Sequence, residues 1–63
     1  PGPMPGLSGA AAQLYALVDR EPRDVEELED RAGMEPGGVV SALCELELLG
    51  LVVQGPGRRY QRV

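Results

Sequence analysis

The 63-residue chain has no His, Lys, Phe or Trp, and only one Cys. Each absence closes a class of explanation. A lone cysteine makes no internal disulfide, and without histidine the usual zinc sets cannot be assembled. Nucleophilic chemistry has no foothold either, because Ser8 and Ser41 have neither His nor Lys to activate them. No apolar run approaches the ~18 residues that span a bilayer, and no charged-then-apolar leader opens the chain. Tyr15 and Tyr60 are the only aromatics, so the core has to be built from aliphatic side chains, mostly Leu and Val. Unstapled domains of this size hold ~3–5 kcal/mol of net stability, which favours helices with short connections. The expectation is one small, non-enzymatic, cytoplasmic domain without cofactor, detached from a larger protein.

Pro1-Gly2-Pro3-Met4-Pro5-Gly6 blocks regular hydrogen bonding and offers little to pack. Residues 1–7 therefore read as a linker or an expression remnant, and residues 8–63 as the folded domain. The net charge of −4 is unevenly spread. Residues 24–49 carry eight carboxylates against Arg31 alone, whereas residues 51–63 carry Arg58, Arg59 and Arg62 and no acid.

Leu7, Ala10, Ala11, Leu14, Leu17 and Val18 recur at helical spacing behind Ser8, a good N-cap. This predicts a first helix over about 9–20, ended by Pro22. Asp24-Val25-Glu26-Glu27 is a capping-box pattern. It opens a second helix at 25–32, with Val25, Leu28 and Ala32 inward and Gly33 as its left-handed stop. Pro36 suits the first position of a third helix, although Gly37 and Gly38 weaken its first turn. Val39, Val40, Leu43, Leu46 and Leu49 are expected to face inward, and Gly50 ends the helix. Two β-prone runs around Gly55-Pro56-Gly57 then read as a hairpin on a type II turn. Three helices with a three-residue turn between the last two, closed by a C-terminal hairpin, make a winged helix-turn-helix: mainly α with a small β wing.

One stretch is more specific than the fold. Leu43-Cys44-Glu45-Leu46-Glu47-Leu48-Leu49-Gly50-Leu51-Val52, followed by Gly57-Arg58-Arg59-Tyr60, resembles the C-terminal winged-helix domain of the DNA-processing protein A (DprA/Smf) family. Asp24-Val25-Glu26-Glu27-Leu28 and Gly33-Met34-Glu35-Pro36 extend the likeness, which covers about Leu14 to Val63. Gly37-Gly38 departs from it, since that family usually places better helix formers there. The resemblance implies a parent protein of natural transformation, with a central Rossmann-like domain that binds single-stranded DNA and helps load RecA. The winged helix is the accessory part of such a parent.

Candidate sites follow from the side chains that face out. The third helix presents Gly37, Gly38, Ser41, Glu45 and Leu48, with none of the Arg, Lys, Asn or Gln that read base edges. Arg58, Arg59 and Arg62 on the wing are candidate phosphate contacts, or charges that keep a hairpin edge soluble. Tyr60 could stack on a base, but a terminal-strand Tyr more often covers the core edge. Met34, Val40 and Leu48 are candidates for a protein-docking patch, against the ordinary scatter of single exposed apolar residues. Cys44 reads as a small, partly buried hydrophobe. The leading expectation is an accessory module that contacts the remainder of its parent, or another protein, and binds DNA weakly and without sequence preference. The alternative is the DNA-binding domain of a transcriptional regulator. No metal, membrane or small-molecule substrate is expected.

Overall fold

Ser8 starts the first helix as its side chain predicts: its hydroxyl oxygen accepts from the Ala11 N–H at 3.1 Å. In the computed structural model, which describes residues 7–63, this helix α1 spans Gly9–Leu17. It ends before the expected residue 20. Val18 is extended with its side chain buried, and the Asp19 carbonyl accepts from the Arg62 N–H at 2.7 Å. A bond from the far end of the chain thus replaces a further helical turn, and Pro22 lies beyond the true end. Of the residues read as a leading linker, 1–6 lie outside the described part, and Leu7 is half-buried against the core.

The capping box predicted at Asp24 and Glu27 does not form. Asp24 makes no side-chain cap bond, and with Arg23 it forms a short strand, β1 (Arg23–Asp24). The open N–H of Val25 is satisfied by the Arg58 carbonyl at 3.1 Å. Glu27 accepts instead from Arg23 at 3.4 Å and Arg31 at 3.1 Å. Arg23 also donates to Asp19 at 2.8 Å. That bond, helped by the Glu21 N–H, holds the Asp19 carboxyl below its ordinary range. Helix α2 spans Val25–Ala32 and stops at Gly33, whose φ of 65° is left-handed as predicted.

Helix α3 spans Pro36–Leu48, with Pro36 in its first turn. The N–H groups of Gly38 and Val39 both donate to the Glu35 carbonyl, at 2.9 and 3.1 Å. Its inward face is Val39, Ala42, Leu43 and Leu46. Val40 and Leu49, expected on that face, are exposed instead. Each residue advances about 100° around a helix, so Val40 is carried out of the core that Val39 enters, and Ala42 fills the space. Crowding does not require the early glycines: a Cβ on Gly38 would meet only the Met34 Cβ, at 3.9 Å. Gly38→Ala is therefore expected to raise stability by about 0.5–1 kcal/mol and the melting temperature by several degrees. A thermal melt followed by circular dichroism checks this.

Strands β2 (Val52–Gly55) and β3 (Arg59–Arg62) pair antiparallel, with Val52 opposite Arg62 and Gly55 opposite Arg59. Gly57 takes the positive φ a type II turn requires (77°), and Arg58 follows it at 59°. Strand β1 adds to the other side of β3, so the expected two-stranded hairpin is a three-stranded sheet in the order β1-β3-β2. The helices close over Leu14, Leu28, Leu43 and Leu46, and Val52 seals the core from the sheet. The result is the winged helix-turn-helix architecture. Among the described residues no helix is long and apolar enough to cross a membrane.

Candidate interaction surface on the third helix

The buried face of α3 dictates what its opposite face shows. With Val39, Ala42, Leu43 and Leu46 inward, Gly37, Val40, Ser41, Cys44 and Leu48 line a shallow open groove, together with Pro36 and Leu49. Leu48 is 83% exposed, Leu49 56% and Val40 50%. Cys44 is exposed as well, which corrects its assignment as a partly buried side chain. Glu29 of α2 and Arg58 of the wing complete the lining, as does Glu45. No cation or amide side chain projects from α3 itself.

Glu45 is not a free carboxylate on this face. It accepts from the Ser8 hydroxyl at 2.9 Å and from the Ser8 N–H at 3.0 Å. Ser8 thus donates to Glu45 while accepting from Ala11, and the carboxylate sits at the positive end of α1. The bonds are solvent-exposed, so their loss is moderate. Glu45→Ala is expected to cost about 1 kcal/mol and to lower the melting temperature by roughly 4–8 °C. Calorimetry on the variant checks it.

The three wing arginines divide. Arg58 and Arg59 are exposed. Arg62 is half-buried: its Nη2 donates to the Tyr15 carbonyl at 2.6 Å, and its guanidinium carbon lies 4.1 Å from the centre of the Tyr15 ring. Tyr60 is half-buried against the core edge, and burial, then the Glu47 carboxylate, pushes its phenol pKa up. Of the docking candidates, Val40 and Leu48 share the groove, whereas Met34 packs partly against the core and does not line it. The groove residues that sequence reasoning passed over are Leu49 and Cys44. Helical phase was the signal for Cys44, which lies four residues from both Val40 and Leu48.

Comparison with known proteins adds an independent line. A family model described as the DprA winged helix domain matches residues 1–58. Protein Smf of Synechocystis sp. is 37% identical over 60 residues, which is 95% of this chain and 15% of that protein. The chain thus spans less than a sixth of that relative. No solved structure matches it.

Proposed function

The chain belongs to the DprA winged-helix family, and from that premise we propose that it is a non-catalytic accessory module of a DprA-like DNA-processing protein. Its work is protein contact through the outer face of α3, with weak, sequence-blind DNA contact through the wing. Single-stranded DNA handling, RecA loading and a cytoplasmic setting in natural transformation belong to the proposed parent. The observation that carries this reading is the composition of that outer face. Where a winged helix that reads DNA would offer cations and amides to base edges, this one offers Val40, Ser41, Cys44 and Leu48. Carboxylates beside them repel phosphate. A transcriptional regulator needs the opposite.

Two measurements test it. Anisotropy of labelled duplex and single-stranded DNA across a salt series should give a log–log slope no steeper than about −2, one counterion each for Arg58 and Arg59. Affinity should not depend on sequence; a preference above about tenfold contradicts the reading. Leu48→Lys should leave the melting curve within about 0.5 kcal/mol of the parent value. The same change should abolish docking to the remainder of the parent protein. A collapse of stability would instead make Leu48 part of the core.

A further inference from the structure

Among the described residues, Arg58 alone has a positive φ without being a glycine, at 59°. A residue with a Cβ enters that left-handed region against steric resistance, and Gly or Asn is the usual occupant. The backbone around Arg58 gives it no way out. Gly57 before it is left-handed as well, at 77°, and Arg59 after it opens β3. The Arg58 carbonyl is itself held by the Val25 N–H at 3.1 Å. A residue kept in a conformation it disfavours, at an exposed turn, points to a task for its side chain.

The three wing arginines differ in what surrounds their charge. Arg62 is spent on the Tyr15 carbonyl and ring. Arg59 stands directly across from Asp24 in the pairing of β1 with β3. Asp24 makes no cap bond and no ion pair among the described residues, so a phosphate approaching Arg59 meets a carboxylate on the neighbouring strand. Arg58 lies at the turn, with no residue of β1 or β2 paired across from it. Glu29 lines the same groove from α2, but the two form no ion pair.

We infer that the wing makes a single phosphate contact with nucleic acid, that Arg58 makes it, and that the turn presents this guanidinium at a cost in stability. The inference rests on the weak wing contact proposed above and assigns it to one residue. Arg59 then serves the sheet edge, opposite Asp24.

The test is a thermal melt and an anisotropy salt series with labelled random duplex DNA, run on the whole chain and four variants. The unaltered chain should lose affinity three- to fourfold for each fourfold rise in salt, as one released counterion requires. Arg58→Gly keeps the backbone conformation and removes the charge. It should nearly abolish the salt dependence and raise the melting temperature by several degrees. Arg58→Lys should keep both the salt dependence and the melt of the parent chain, whereas Arg58→Ala should lose the salt dependence without the gain in stability. Arg59→Ala should leave most of the salt dependence in place. If Arg59→Ala flattens the series and Arg58→Gly does not, the assignment to Arg58 is overturned while the wing contact stands. If neither flattens it, the inference and the wing contact fall together. A melting temperature that stays level or drops in Arg58→Gly overturns the claim that the contact is held against stability.

Discussion

Leu43→Ala should leave the chain largely unfolded at 25 °C, with most of its helical circular dichroism lost and no cooperative melt. Leu43 is wholly buried on α3, within a core that, among the described residues, holds ten apolar side chains and no buried polar or charged one. Cutting a buried Leu back to Ala costs ~2.7–5 kcal/mol, the spread reflecting how far the cavity collapses. A domain of this length without disulfide or metal holds ~3–5 kcal/mol in all. The loss and the reserve are therefore of the same size. Leu14, Leu28 and Leu46 stand in the same position, each wholly buried. A cooperative melt displaced by only a few degrees would show that the core relaxes around the cavity more freely than aliphatic packing allows.

The second large effect concerns Arg62, and it separates two roles that the sequence leaves open. Arg62→Ala removes a charged donor to the Tyr15 carbonyl and the stack over the Tyr15 ring. Hydrogen bonds to charged groups contribute ~1.5–3 kcal/mol and a cation over an aromatic face about 0.5–1. A net loss of about 2 kcal/mol is expected, which lowers the melting temperature by roughly 8–16 °C. Arg62→Lys should restore only part of it, since an ammonium lacks the planar fork that donates and stacks together. If Arg62 were instead a free phosphate contact, its removal would leave the melt unchanged and flatten the salt dependence of DNA binding by about one unit of slope. The melt and the salt series, measured on one variant, decide between the two.

These two residues also show where sequence reasoning reaches and where it stops. Leu43 is legible as core from spacing alone, because helical phase is a local property. So are the end of α2 and the start of α3: Gly33 and Pro36 act through their own backbone chemistry, and each sits where that chemistry predicts. What escaped is what depends on distant partners. The bond from Arg62 to Tyr15 joins residues 47 apart, and Ser8 to Glu45 spans 37. The end of α1 and the strand β1 are both set by β3, some forty residues downstream, so no local signal in residues 18–24 encodes them.

The outer face of α3 was partly legible. Leu48 is outward by phase, and the absence of base-reading side chains needs no structure. Val40 and Leu49 were placed inward because an apolar residue next to a core position invites that assignment, and only the packing of Ala42 shows the face to be narrower. The salt-bridged series Asp19, Arg23, Glu27 and Arg31 was not read from the sequence, since only Glu27 and Arg31 lie on one helix, where i, i+4 spacing pairs side chains. Its effect is to take Glu27 out of the acidic field and leave Glu26, Glu29 and Asp30 to define it.

The central claim is that α3 turns a protein-docking face, and not a base-reading one, to the outside. Amide chemical shifts of the whole chain, followed at low salt as random duplex and single-stranded DNA are added, test it most directly. The account predicts shifts confined to the wing around Gly57–Arg59, alike for every sequence and gone at high salt. Shifts along Gly37–Leu48 that differ from one DNA sequence to another would contradict it.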